Sequence, residues 1–169
     1  MTRLRIALPP LAQLSAESLV HYAWLDRAGQ VSRQGQASLG QLAQPRKSLA
    51  AECFLHPRDS LLSSLELPQL PPAKVAAAVA CAAQALILGP VTHMQVVHSP
   101  RQSNGQGQVG WLPTAGLEHL QRVLAQVPIS LRGLYPAPYA LPVPPAGRLS
   151  VACVDGHLLL RQSLHQSAL

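Results

Sequence analysis

The chain has 169 residues and a mass of 18.0 kDa, and 48% of its residues are apolar while only 12% are charged. This apolar share supports a buried core and excludes a largely disordered chain. Lys and Arg number 13 against 7 Asp and Glu, a formal net charge of +6, but the cations are dispersed and aromatic residues make up only 4%. A nucleic-acid surface needs clustered cations and stacking aromatics, so the composition argues against nucleic-acid binding.

Three cysteines are far apart in the sequence and form no Cys-x-x-Cys pair, which argues against a redox motif or a zinc knuckle. Two of them, Cys53 and Cys153, lie in apolar runs and are predicted to be small buried residues; the third is Cys81. The first apolar stretch is interrupted by Pro9 and Pro10, so it is a poor secretory signal. These features are typical of a protein from a reducing compartment.

The first part of the chain is predicted to consist mainly of strands. Strand patterns occupy residues 4–8, 19–25, 30–35, 49–56 and 61–67. A turn at residues 26–29 joins the second pattern to the third, and the polar character of the third predicts an edge strand. Residues 38–44 are predicted to hold one helical turn that ends at Pro45.

A first long helix is predicted over residues 73–88, after several prolines suited to a first helical turn. Its apolar run is shorter than the roughly 20 residues that a membrane-spanning helix needs, so we expect a buried helix. The apolar stripe consists of Val75, Val79, Ala82 and Leu86. Because the other faces are mostly Ala, the helix is predicted to pack on more than one side and to be too buried to bind a partner.

A second helix over residues 115–126 has the most regular pattern in the chain, with Thr114 as its predicted N-cap. Its apolar stripe consists of Leu117, Leu120, Leu124 and Val127. The residues predicted to face water are Glu118, His119, Gln121, Arg122 and Gln126.

The other predicted elements complete an α/β pattern. Strands are predicted at residues 91–98, 109–112 and 129–134, with a flexible loop at 99–108. A stiff proline-rich connector then leads to a hairpin, residues 149–154 and 157–161, around Asp155 and Gly156. Strand pairs followed by strand–helix–strand units predict an α/β fold with a mixed sheet and flanking helices.

The titratable residues form no pattern typical of catalysis. The seven histidines share no local ligand spacing; His93 and His98, for example, fall on opposite faces of one predicted strand. Asp26, Asp59 and Asp155 lie at predicted turns, where Asp bonds the backbone. The sequence contains no Gly-x-Ser-x-Gly elbow, no phosphate-binding P-loop and no Gly-x-Gly-x-x-Gly motif that opens a helix, since Gly105-Gln106-Gly107 lies in a predicted polar loop. No catalytic, cofactor-binding or metal-ligating residue is therefore predicted.

Four blocks of sequence, taken in order, carry a family resemblance. They are residues 52–62 with 65–68, the helix start at 72–74, residues 109–112 with 117–127, 131–136 and 140–142, and the hairpin 154–161 with its Leu159 and Arg161. Together they span residues 52–169, whereas residues 1–50 match only as a strand-rich start. In this order the blocks resemble the N-terminal cytoplasmic part of the type II secretion system protein L family, a component of the inner-membrane assembly platform.

The resemblance implies an actin-like, ribonuclease-H-like α/β fold. It implies one actin-like lobe over residues 1–145 and a Pro-linked hairpin over residues 146–169 that begins a second, truncated lobe. It also implies a non-enzymatic docking scaffold, without a cofactor, at the cytoplasmic face of the bacterial inner membrane. Its expected partners are the N-terminal domain of the secretion ATPase and other inner-membrane platform proteins, and a homodimer is left open.

Two alternatives accompany this interpretation. One is an actin-like protein of pilus assembly. The other is an actin-like nucleotide-binding ATPase with degenerate phosphate loops, in which Asp26 and Asp155 would approach Mg²⁺ and phosphate. The sequence assigns no partner-binding residue, although the polar strand 30–35 and the final hairpin are candidate edges. The basic surface is expected to face an acidic partner or the anionic inner leaflet.

Overall fold

The computed structural model describes residues 3–43 and 49–168. The strands in chain order are β1 Arg3–Ala7, β2 Leu19–Leu25, β3 Val31–Ser38, β4 Leu49–Phe54, β5 Leu61–Glu66, β6 Met94–His98, β7 Gln106–Pro113, β8 Ile129–Tyr135, β9 Ser150–Val154, β10 His157–Arg161 and β11 Ser167–Ala168. The helices are α1 Leu39–Leu42, α2 Pro72–Gln84 and α3 Thr114–Ala125, with 3₁₀ turns at Leu11–Gln13, Pro57–Asp59, Val91–His93 and Ala137–Ala140.

The central sheet has five strands in the order β3-β2-β1-β4-β8. Strands β1, β2 and β3 form an antiparallel meander, and β4 and β8 continue the sheet in parallel with β1. The predicted mixed sheet is confirmed. Strand β3 lies at the edge, as its polar sequence predicted, and it is largely exposed.

One face of the central sheet carries the main hydrophobic core. Leu4 and Ile6 of β1 alternate with half-buried arginines and pack against Cys53 of β4, while α1, α3 and the turn Leu11–Gln13 cover them. Full burial of each such aliphatic side chain contributes about 1.5–3 kcal/mol. Helix α1 begins at the predicted turn, where Ser38 and Gln41 form a reciprocal capping box. The predicted end of that turn, at residues 44 and 45, lies outside the described residues.

Helix α3 confirms the predicted apolar stripe, because Leu120, Leu124 and Val127 are buried and Leu117 packs against the same core. Two details of the prediction were wrong. Thr114 is the first residue inside the helix rather than its cap, and its hydroxyl is buried without a hydrogen-bond partner in the described residues. His119 does not simply face water: it is half-buried, and its Nε2 donates to the carbonyl of Leu14 at 2.8 Å.

A second, antiparallel sheet has the order β5-β7-β6, and α2 packs on one of its faces. The α2 stripe differs from the predicted one, since Val79 and Ala83 of the helix and Ile87 beyond it are buried, whereas Ala82 and Leu86 are exposed. The helix contacts this small sheet on a single side, so most of its surface is exposed rather than buried. In the described residues, the helices are all too short or too polar to cross a membrane.

The prediction of a flexible loop over residues 99–108 was wrong at the C-terminal end of the loop, because strand β7 already begins at Gln106. Gly105 closes the turn before it with a φ of +84°, a conformation that favours glycine. Gly107 is buried, and a Cβ at this position would overlap the side chain of Leu67. The glycines therefore permit a tight turn and close packing. The predicted strand 91–98 likewise begins as a 3₁₀ turn before β6.

The predicted terminal hairpin is present as β9 and β10, with Asp155 at φ +48° and Gly156 at φ +77° between them. Strand β11 adds a third strand, in the order β11-β10-β9. Cys53 is buried as predicted, but Cys153 is exposed because it lies on the outward face of β9, the edge of this small sheet. That this hairpin begins a second lobe stays a prediction.

Candidate functional site

The hairpin meets the central sheet through a histidine–aspartate pair. His56 follows β4, is only 5% exposed, and its Nδ1 accepts a hydrogen bond from the backbone N–H of Arg58 at 3.1 Å. The other ring nitrogen, Nε2, therefore carries the proton and donates to Asp155 Oδ2 at 2.9 Å. This hydrogen bond holds the pKa of the exposed Asp155 carboxyl below its usual value, and the nearby His157 and Arg58 act in the same direction.

A serine lies beside this pair, but the three side chains do not form the hydrogen bonds of a nucleophilic triad. The Ser60 hydroxyl donates to the backbone carbonyl of His56 at 3.0 Å and accepts from the N–H of Ala137 at 2.9 Å. A triad needs the hydroxyl to donate to the imidazole, and the Nδ1 of His56 is already bonded to a backbone N–H. The hydrogen bonds assign His56 and Ser60 to positioning the chain at this junction.

Arg161 fixes the proline-rich connector to the hairpin. The residue is 7% exposed; its Nη1 donates to the carbonyls of Tyr139 at 3.0 Å and Leu141 at 2.6 Å, and its Nε to that of Ser163 at 3.3 Å. The guanidinium also lies over the Tyr139 ring, 5.1 Å from its centre. Burial lowers the pKa of this guanidinium from its ordinary value. Its charge is balanced by carbonyl dipoles and an aromatic face.

The other two aspartates singled out in the sequence stabilise turns, as predicted. Asp26 Oδ1 accepts from the N–H groups of Ala28 at 2.8 Å and Gln30 at 2.9 Å, which closes the turn between β2 and β3. Asp59 Oδ2 accepts from the N–H of Leu11 at 2.8 Å and holds the loop between β1 and β2. Both carboxylates are occupied by backbone donors.

Asp26 and Asp155 lie at opposite ends of the central sheet. Asp26 follows Leu25, which pairs with Arg3 at the start of β1, whereas His56 and its partner Asp155 lie beyond the end of β1. The intervening strand is about 13 Å long at roughly 3.3 Å per residue. The two carboxylates therefore do not converge on one Mg²⁺ ion. In the described parts of the chain, the His, Cys, Asp and Glu side chains also form no group of three that could hold a metal.

The face of the central sheet opposite the main core forms a second candidate surface. Two depressions of about 630 Å³ and 420 Å³ lie on it and share Arg5 and Phe54. Arg5 pairs with Glu52 at 3.1 Å and lies over the Phe54 ring, which in turn stacks on Tyr135 at 5.5 Å between centres. This face presents cations and aromatic rings at a concave surface.

Sequence reasoning missed both the His56–Asp155 pair and the role of Arg161. The pair joins residues 99 positions apart, so no local pattern signals it. Arg161 carries a signal in retrospect, because an arginine at a strand position in an apolar hairpin needs a buried partner.

No protein-family model matches the chain, and no curated protein matches it in sequence. Solved structures do match. The chain is similar to the cytoplasmic domain of EpsL, an inner-membrane component of the type II secretion system of Vibrio cholerae, with a TM-score of 0.77 and 17% identity. This alignment covers 99% of the chain and 70% of the EpsL structure.

A second similar structure belongs to the PilM-PilN type IV pilus biogenesis complex, with a TM-score of 0.65 and 12% identity over 98% of the chain and 60% of the matched chain. A third, from Bacteroides thetaiotaomicron, is described as having an actin-like ATPase fold and unknown function; it aligns with a TM-score of 0.43 and 9% identity over 99% of the chain and 69% of that chain. The predicted fold class is confirmed. The chain has the mixed α/β fold of the EpsL cytoplasmic domain, as the resemblance in its sequence implied.

Proposed function

We propose that the chain is a non-enzymatic docking scaffold of a bacterial type II secretion system. In this role it links the secretion ATPase to platform proteins at the cytoplasmic face of the inner membrane. The observation that carries the proposal is the fold shared with the EpsL cytoplasmic domain over 99% of the chain. The alignment with a chain of the PilM-PilN complex supports a role in protein binding, and keeps a pilus-assembly scaffold as the nearest alternative.

A nucleotide-binding ATPase is the alternative from another class, and the geometry of the two turn aspartates argues against it. A phosphate site needs a cation and backbone donors to converge at one place. Asp26 bonds its own turn and Asp155 bonds His56, at opposite ends of the sheet. The residues that would have to approach phosphate therefore act as structural groups.

Titration calorimetry with the N-terminal domain of the cognate secretion ATPase tests the proposal, with ATP·Mg²⁺ titrated in parallel. We expect the ATPase domain to bind with a dissociation constant near the micromolar range, about −8 kcal/mol, and the nucleotide to give no binding heat. Titration of the ATPase lacking its N-terminal domain serves as the control. Nucleotide binding without ATPase binding would overturn the proposal in favour of the enzyme.

A further inference from the structure

In the described residues, the face of the central sheet opposite the main core is only partly covered: Ala140 borders one depression on it, and Tyr139 and Arg161 border the other. Its uncovered part is called the open face. Strands β1, β4 and β8 run parallel, and parallel sheets are ordinarily covered on both faces. Helices α1 and α3 pack on the face formed by Leu4, Ile6 and Cys53, and α2 packs on the second sheet. The open face carries the alternate residues of the same strands, among them Arg5 and Ala7 of β1.

The shape of the open face fits a helix. Its floor is made by the short side chains of Ala7 and Ala23 beside the aromatic ring of Phe54, and the groove above them has a volume of about 630 Å³. Small floor residues let a helix approach the strands closely. The backbone groups of β1, β2 and β4 are already bonded within the sheet, so an occupant must bind through side chains. Helix-in-groove docking meets that condition, whereas strand addition does not.

The charge of the open face determines which charge a partner that binds there should carry. Arg5 lines the groove, and the adjoining depression of about 420 Å³ is lined by Arg3, Arg5 and Arg161 together with one carboxylate, Glu52. The carboxylate is neutralised by Arg5 at 3.1 Å, and Arg161 bonds backbone carbonyls. An excess of positive charge therefore remains beside an apolar floor.

We propose that this open face binds an acidic amphipathic helix of a partner protein. The apolar side of the helix packs on Ala7 and Ala23, beside the buried Phe54, and its carboxylates lie against Arg3 and Arg5. The inference deepens the docking role proposed above and rests on it, because it assigns that role to one surface.

The first experiment uses a designed probe, a fluorescent helical peptide of about 18 residues with Leu on one face and Glu on the other. Its twin with Lys in place of Glu is the control peptide. We expect the Glu peptide to bind more tightly than the Lys peptide and to lose affinity as salt is raised. Equal binding of the two peptides would overturn the proposal.

Two variants locate the binding surface. Ala7→Leu fills the groove at an exposed position, and Arg3→Glu reverses one charge; each is expected to weaken binding of the Glu peptide about tenfold. The matched controls are Ala76→Leu on the exposed side of α2 and Arg122→Glu on α3, which covers the opposite face of the sheet. The controls should bind like the original chain, and circular dichroism checks that all four variants fold. If the controls weaken binding as much as the groove variants do, the proposal is wrong.

The same variants are then titrated with the ATPase N-terminal domain, and their self-association is measured by sedimentation. If the ATPase domain binds all variants equally, the surface assignment fails while the docking function stands. If the ATPase domain does not bind at all but the Glu peptide binds only to an intact groove, the docking function fails and the surface assignment stands. Self-association that Ala7→Leu abolishes would make a second copy the occupant and overturn the proposal.

Discussion

His56 and Asp155 show how a histidine can act structurally through both of its ring nitrogens. A backbone donor at Nδ1 fixes the neutral tautomer, and the remaining N–H of the ring is aimed at the hairpin turn. Because the carboxylate of Asp155 accepts this bond, ionisation of the aspartate and attachment of the hairpin are coupled. The tip of the terminal hairpin is thereby attached to the corner after β4.

This coupling predicts a pH-dependent stability. The pKa of Asp155 is lower in the folded than in the unfolded chain, so as pH falls the unfolded chain binds the proton first and the folded state loses stability. The contribution is fully present above the unfolded value, about 3.9, and is lost as pH falls through the folded value. Urea unfolding of the original chain and of Asp155→Asn at pH 3 to 7 should show a stability difference that shrinks below about pH 4.

Glu118→Gln, at an exposed position on α3, is the control for that measurement. It removes a carboxylate from the surface without touching the hairpin. A difference between the original chain and Asp155→Asn that stays constant from pH 7 to 3 would contradict the assigned coupling.

The different burial of the three cysteines predicts that their thiols differ in reactivity. Cys53 is fully buried in the main core, where burial raises the pKa of its thiol to about 12, whereas Cys81 and Cys153 are exposed. Since the thiolate is the reactive form, a disulfide reagent at pH 8 should label two thiols of the folded protein and the third only in denaturant. Cys81→Ser should leave one fast thiol. Fast labelling of all three would mean that the core around Cys53 opens readily.

At the scale of elements, Arg161 acts as a clamp between the proline-rich connector and β10. Arg161→Met keeps much of the side-chain volume but leaves the carbonyls of Tyr139 and Leu141 without their donor. We expect a loss of about 2 kcal/mol in the free energy of unfolding, because hydrogen bonds to charged groups contribute about 1.5–3 kcal/mol. Chemical denaturation measures it, with the exposed Arg148→Met as the matched control. Equal stability of the two variants would show that the clamp contributes nothing.

The two long helices explain why some elements could be predicted and others only in part. In α3 the apolar residues occupy a single stripe among charged and amide side chains, so its buried face follows from the sequence alone. In α2 seven of the thirteen residues are Ala, and the buried stripe through Val79 and Ala83 is shifted by one residue from the predicted one at Ala82 and Leu86. The small sheet decides which side is buried, and that is tertiary information.

At the scale of the molecule, the positions of the strands along the chain were more predictable than the site. Alternating residues and turn aspartates placed β1 to β4 and the final hairpin close to their observed bounds. The contact between His56 and Asp155 depends on how a segment folds back after residue 145, which local patterns do not encode. The open face also has no local signature, because its residues come from four strands and from Ala140 after β8.

Residues 3–43 and 49–168 form two separate hydrophobic cores, which predicts that the protein opens in two steps. The core beneath α2 contains Leu67, Val79 and Val109 but far fewer buried side chains than the core of the central sheet. Regions with fewer buried contacts open at lower free energy. Hydrogen exchange should therefore be faster in α2 and in β5 to β7 than in β1 and β4.

Gly107→Ala should widen the difference in hydrogen-exchange rate between the two cores, because the added methyl group overlaps Leu67 inside the smaller core. We expect a cost of about 1–3 kcal/mol to this part of the protein, typical of overpacking, with faster exchange in β7 and α2 and unchanged exchange in β1 and β4. Gly40→Ala is the matched control: it lies in α1, where the added carbon comes no closer than 3.8 Å to its neighbours, and removal of a helical glycine should be neutral or slightly stabilising. If Gly107→Ala accelerates exchange equally in β1 and β4, the two cores unfold as one unit and the two-step description is wrong.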